Sequence, residues 1–296
     1  MNKTAKAHFA LIVANLIYSA NFIIAKEVMP NYIKPFGLVL IRVAGGTIFY
    51  WIIHAFFIKE KIDKKYLPHL LLLAIFGVAT NQMSFLKGLN LTTPINAAIM
   101  MITTPILVLI ISAVILKEKI SALNITGVLL GFIGATSLLL IKSDFSFGST
   151  TFYGDLFVFI NALSWGIYLV LVKPFMKIYN TITILKWVFL FGFFMVLPFG
   201  YSDVISINIV SFTPQIWLCV CFVVIATTVA AYLLNTYALK ELSSSVVSAY
   251  IYLQPLLTTS IALLTDKDKI NSIKIISAMF IFTGVYWASK KRSYEK

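Results

Sequence analysis

The sequence predicts an all-α integral membrane protein whose ten transmembrane helices form two inverted five-helix repeats. Three observations carry this. Of 296 residues, 60% are hydrophobic and 12% charged, with a mean hydropathy of +0.93; a soluble domain is about 25% charged. The apolar residues come in runs of about 20, the length a helix needs to cross a hydrocarbon core of about 30 Å. The second half of the chain also repeats the first. The alternating pattern of barrel strands is absent, and lipid cannot satisfy backbone groups, so each run must be a helix. This composition excludes a soluble enzyme, a DNA-binding protein and a single-span receptor.

The runs lie near residues 7–25, 36–58, 67–87, 94–116, 121–141, 152–173, 181–200, 215–238, 244–264 and 271–289, bounded by Lys, Pro, Asn and Asp clusters. The first follows Lys3 and Lys6 and continues to Ala25 without a small-x-small cleavage site, so it reads as a retained span rather than a signal peptide. The second carries Arg42, the third Asn81-Gln82, the fourth Pro105 and the fifth Gly127-x-x-x-Gly131. The sixth opens at Gly154-Asp155, an acid suited to a helix N-terminus. The eighth contains both cysteines, Cys219 and Cys221, whose spacing puts them on different helix faces and excludes a local bridge or metal pair. The ninth carries Pro255 and the tenth Gly284.

Orientation follows from Lys and Arg, which resist translocation. With the N-terminus inside, the inside segments hold 16 of the 24 cations and the outside segments 7, Arg42 lying within a span. Both termini are therefore expected in the cytoplasm. The net charge of +13 is read as loop composition rather than nucleic-acid binding, for which no soluble basic domain exists.

At an offset of 150, Gly88-Leu89 meets Ala238-Leu239, Pro105 meets Pro255, Gly134 meets Gly284, and Lys117-Glu118-Lys119-Ile120 meets Lys267-Asp268-Lys269-Ile270. At 147, Tyr18 meets Trp165 and Lys26 meets Lys173. Five spans per unit, an odd number, make the repeat inverted, as in many secondary transporters. The expected units are 1–142 and 143–296.

These residues resemble the drug/metabolite transporter superfamily, in its ten-span branch with two EamA-type repeats. The resemblance rests on Gly154-Asp155, Ala162-Leu163-Ser164-Trp165-Gly166, the paired prolines, the acid-Lys turns after them, and Gly134 and Gly284. The first repeat departs from the pattern, reading Leu16-Ile17-Tyr18-Ser19 without Trp-Gly. The resemblance covers essentially the whole chain. It implies a multi-pass permease of a bacterial inner membrane, working most often in export, and is uninformative about substrate.

No enzyme constellation is present. His8, His54 and His69 sit near span ends without HExxH spacing, and no GxGxxG, Walker or GxSxG sequence occurs. No cofactor or metal is expected. All eleven acids fall in tails, loops or span ends, so the mid-membrane carboxylate that proton coupling or a lipophilic-cation effluxer would use is missing. Arg42 is the outlier, with two readings: a partner for an anionic substrate group, or an anchor snorkelling to the outer interface.

Polar and aromatic residues recur at helical spacing: Asn15, Tyr18 and Asn21; Asn81, Gln82 and Phe85; Asn161, Trp165 and Tyr168; Tyr232 and Asn235. Met100/Thr104 and Tyr250/Gln254 precede the two prolines at matched positions. An amide facing lipid would be left unsatisfied, so these faces are expected to line a central cavity for a small polar substrate. The expected lining is Tyr18, Asn21, Arg42, Gln82, Phe85, Met100, Trp165, Tyr168, Tyr232, Asn235, Tyr250 and Gln254. Pro105 and Pro255 each remove a mid-span donor and are expected hinges. The Gly127-x-x-x-Gly131 pattern suggests a homodimer face, although span ten keeps only Ser277-x-x-x-Ile281. The rivals to a metabolite carrier are a multidrug effluxer and a membrane enzyme or scaffold. The latter would need clustered catalytic groups or a large loop.

Overall fold

The structure, a computed structural model, describes residues 2–117, 120–140, 151–264 and 272–289. The boundary expected at 142/143, the turn at Glu118 and Lys119 with its counterpart at 267–270, and the C-terminal cations lie outside the described residues. Among the described residues all regular structure is helical. The first half comprises α1 (Lys3–Val28), α2 (Pro35–Ile53, prolonged by a π turn at His54–Ile58) and α3 (Leu67–Ala74, a π segment Ile75–Ala79, then Thr80–Leu91). It ends with α4 (Pro94–Met101 and Thr104–Ile115) and α5 (Ala122–Leu140). The second comprises α6 (Phe152–Val172), α7 (Thr181–Ile205) and α8 (Pro214–Cys221, a π segment Phe222–Ala230, then Ala231–Glu241). It ends with α9 (Ser244–Ala249, a 3-10 turn Tyr250–Tyr252, Leu253–Leu264) and α10 (Ser272–Ser289).

The starts follow from local sequence. Thr93-Pro94 and Thr213-Pro214 open α4 and α8 with the proline at the first helical position, where its missing N–H costs nothing. The preceding threonine accepts from the N–H of Asn96 (3.1 Å) and Ile216 (3.3 Å). Ser243 caps α9 through Val246 (3.2 Å) and Asn180 caps α7 through Ile182 (3.0 Å). Among the described residues six segments are long and apolar enough to cross a membrane in one run: Lys3–Val28, Pro35–Ile58, Lys64–Leu91, Phe152–Lys177, Thr181–Ile205 and Pro214–Glu241. Their outward faces expose Phe56, Phe57, Phe194 and Leu218, which suits a lipid surround.

Helices at corresponding places in the two halves pack on one another. α2 lies on α7 and α5 on α10, while α3 on α6 is mirrored by α8 on α1. Where α5 meets α10, a Cβ on Gly127 would sit 2.4 Å from the Ala288 nitrogen, and one on Gly284 would sit 2.4 Å from the Gly131 nitrogen. The Gly127/Gly131 stripe expected at a dimer face is thus used within one chain, because only glycine lets these two backbones approach so closely.

The expected proline kinks take a different form. The helix stops one turn before each proline, at Ile102-Thr103 in α4 and at Tyr250–Tyr252 in α9, and restarts so that the proline falls in a first turn. There its lack of an N–H is harmless, and Thr103 Oγ1 donates to the Met100 carbonyl (2.7 Å). Loops and helix termini are tied pairwise by hydrogen bonds. His8 Nδ1 bonds Tyr250 Oη (2.7 Å), Glu60 Oε2 accepts from the Asn180 N–H (3.0 Å), and Asn124 Nδ2 donates to the Ala288 carbonyl (2.8 Å). Asp203 accepts from the Gly37 N–H (3.3 Å), and Asp155, in the first turn of α6, accepts from Thr92 Oγ1 (2.6 Å).

Candidate functional site: a buried polar cavity

Helices α1, α2, α3, α4, α6, α8 and α9 line a cavity of about 70 Å³. One water needs about 10–15 Å³ by the same measure, so the space holds a handful of waters or a small metabolite. Of the residues expected to line it, Tyr18, Asn21, Arg42, Gln82, Phe85, Trp165, Tyr232, Asn235 and Gln254 do so, together with Asn15, Asn81 and Asn161 from the same polar faces. Met100, Tyr168 and Tyr250 do not. The helix breaks change the facing residue by one: Met101 lines the cavity in place of Met100, and Val247, Ile251 and Gln254 form the α9 stripe. Tyr250 turns to a separate crevice beside His8 and Tyr286. Tyr168 stands behind the wall, stacked on Trp165 with ring centroids 5.2 Å apart. Phe22 and Thr227 were not foreseen. Phe22 is one helical turn beyond Tyr18, whereas Thr227 sits in a π segment, where counting by 3.6 from Tyr232 fails.

The polar lining is tied together across the halves. Gln254 Nε2 donates to Asn15 Oδ1 (2.9 Å), and Asn15 Nδ2 to the Leu11 carbonyl (2.8 Å). Asn161 Nδ2 donates to the Asn81 carbonyl (2.9 Å), and Thr227 Oγ1 to Asn21 Oδ1 (3.2 Å). Trp165 meets Tyr232 edge-on at 5.4 Å, and Phe22 meets Phe85 at 5.5 Å. These amides spend their donors inside the protein, which fixes their geometry before any ligand arrives.

Three polar atoms of the lining are buried and without a partner: Arg42 Nη1, Gln82 Oε1 and Asn161 Oδ1. Arg42 is 3% exposed, so it does not snorkel; its Nε donates to Thr228 Oγ1 (2.9 Å). No Asp or Glu lines the cavity among the described residues. Among the described residues the lining thus holds one unpaired guanidinium nitrogen and two unpaired amide oxygens, with no carboxylate among them. Among the described residues no group of His, Cys, Asp and Glu could hold a metal, and Cys219 and Cys221 are free thiols.

The EamA-like transporter family model matches residues 5–140 and again 152–290. The chain is 27% identical over 290 residues to an "Uncharacterized transporter" of Archaeoglobus fulgidus, covering 97% of this chain and 99% of that one. It is 24% identical to the "Uncharacterized transporter YyaM" of Bacillus subtilis over 78% of this chain and 76% of the relative. The "WAT1-related protein At3g18200" of Arabidopsis thaliana is 27% identical over 90% of this chain and 74% of its own length. A solved crystal structure superposes with a TM-score of 0.76 over 96% of this chain and 97% of its own; at 18% identity this likeness shows the fold alone. With two matches to one family, each spanning half of an all-helical apolar chain, this multi-pass membrane protein belongs to the EamA-like transporter family.

Proposed function

We propose that the chain carries a small carboxylate-bearing metabolite, an amino acid or related compound, across a bacterial inner membrane by alternating access. The carrying observation is Arg42, a guanidinium buried in the cavity wall with Nη1 unpaired and no Asp or Glu in the lining among the described residues. Holding a cation inside a span costs at least about 2.5–3.5 kcal/mol, a cost that a bound carboxylate offsets. Gln82 Oε1 and Asn161 Oδ1 would accept from the ligand's ammonium group. Export is the direction the family resemblance implies. A lipophilic-cation effluxer is disfavoured because the cavity already holds a positive charge.

In this reading all ten helices cross the membrane, both termini are cytoplasmic, and residues 1–142 and 143–296 are inverted repeats. The α2/α7 and α5/α10 packings and the matched breaks before Pro105 and Pro255 support it. Those breaks serve as hinges for opening each side in turn. The test is transport of one amino acid and its amide by wild type, Arg42→Lys and Arg42→Gln at equal membrane abundance. Arg42→Lys keeps the charge but not the bidentate fork, so it should weaken apparent affinity for the acid about tenfold; Arg42→Gln should weaken it further. The amide should be less affected in both. Equal effects on acid and amide would remove Arg42 from the binding site.

A further inference from the structure

Besides the π turn that ends α2, two π segments lie at matched places in the two halves, Ile75–Ala79 in α3 and Phe222–Ala230 in α8, separate from the proline breaks. In α3 the Thr80 N–H reaches back five residues to the Ile75 carbonyl, and in α8 the Ala231 N–H reaches back five to Ala226. Such a segment holds one residue more than an α-helix. Its collapse to α geometry moves one side of the helix on by a residue, about 100° of rotation and 1.5 Å of rise. That is a discrete two-state element of the kind conformational coupling requires.

Hydroxyls from other helices hold carbonyls in both segments. Tyr50 Oη of α2 donates to the Val229 carbonyl (2.7 Å), and Ser164 Oγ of α6 donates to the Phe76 carbonyl (2.7 Å). Tyr232 Oη of α8 donates to the Gly77 carbonyl (2.8 Å). The Tyr168 ring closes on Gly77 from another side, where an added Cβ would lie 2.3 Å from it. Of the three donors only Tyr232 also lines the cavity. Its hydroxyl stands 3.2 Å from Asn81 Oδ1 and accepts from Gln82 Nε2 (3.3 Å). A hydroxyl has one proton to give, so the Gly77 carbonyl and any acceptor in the cavity compete for it.

We infer that the Tyr232 hydroxyl is a latch: it holds the α3 π segment through Gly77 in the empty carrier and releases it when a ligand's acceptor takes its proton. Ligand binding is thereby coupled to a change in the shape of α3. The ligand half of this inference rests on the carboxylate reading above; the latch itself does not. Tyr232 acts here as a positioning residue, working through the backbone of α3.

Hydrogen–deuterium exchange on the full chain in lipid nanodiscs tests it, comparing wild type, Tyr232→Phe, Tyr50→Phe and Ser164→Ala. Without ligand, Tyr232→Phe should speed exchange in 75–82 about tenfold, as expected when one hydrogen bond to a buried carbonyl is lost. Tyr50→Phe should act on 222–230 and leave 75–82 unchanged. Unaltered exchange in 75–82 for Tyr232→Phe, or an equal rise in every helix, overturns the latch. An equimolar mixture of the common L-amino acids is then added. It should speed exchange in 75–82 in wild type and in Ser164→Ala, which loosens the same segment without touching the cavity, but not in Tyr232→Phe. An equal response in Tyr232→Phe overturns the coupling. If the mixture raises no melting temperature in wild type, the amino-acid reading falls and takes the ligand half with it, while the ligand-free comparison still decides the latch.

Discussion

At the level of single residues, the cavity is built from side chains that would be costly anywhere else in a lipid-embedded chain. Amides at Asn15, Asn81, Asn161 and Gln254 are buried and bonded to one another or to backbone, so each was recognisable in the sequence as a group that had to face inward. The departures from the expected lining are as informative. Tyr250 and Met100 share a helix with cavity residues, yet each lies one position off the lining stripe. Tyr250→Phe should therefore remove its bond to His8 and leave substrate affinity unchanged, whereas Ile251→Trp should fill the cavity and abolish transport. Uptake by the two variants at matched abundance checks this. If Tyr250→Phe weakens affinity as much as Trp165→Ala does, the assignment of the α9 face is wrong.

At the level of helices, two departures from α geometry organise the bundle: breaks before the prolines in α4 and α9, and π segments in α3 and α8. The breaks were signalled by Pro105 and Pro255, although as interruptions one turn earlier rather than kinks at the ring. The π segments carry no comparable signal, since Ile75–Ala79 and Phe222–Ala230 are ordinary apolar sequence. Close packing of α5 on α10 depends instead on a missing side chain. Gly284→Ala would set a methyl 2.4 Å from the Gly131 nitrogen and 2.6 Å from the Gly127 oxygen, with backbone on both sides and nothing able to move aside. It should lower stability by about 1–3 kcal/mol, read as a lower melting temperature in detergent with unchanged substrate preference. A melting temperature equal to wild type would mean that the two helices are not in this contact.

For the whole molecule, the proposed topology makes a sharp claim about sidedness. In a background lacking Cys219 and Cys221, a cysteine at Lys61 should resist a membrane-impermeant maleimide in intact cells, and one at Val210, 94% exposed, should react. The reverse pattern would invert the orientation, and equal labelling of both would break the alternation of crossings on which the inverted repeat depends.

What the sequence determined by itself is the class of the molecule. Length of apolar run and scarcity of charge follow from the solvent, because lipid imposes helices of set length and forbids unpaired polar groups on their outer faces. The inward-facing amides follow from the same constraint. Tertiary structure decided three further things: which side of α4 and α9 faces the cavity, that the Gly127/Gly131 stripe is spent within the chain, Gly127 against α10 and Gly131 against the Tyr252 ring of α9, and that Arg42 lies buried with one nitrogen unpaired. Each depends on how two helices that are distant in sequence meet. A helical period of 3.6 fixes which residues share a face within one helix, but a single extra or missing turn residue shifts that face by about 100°. Only packing against the other half settles where it points.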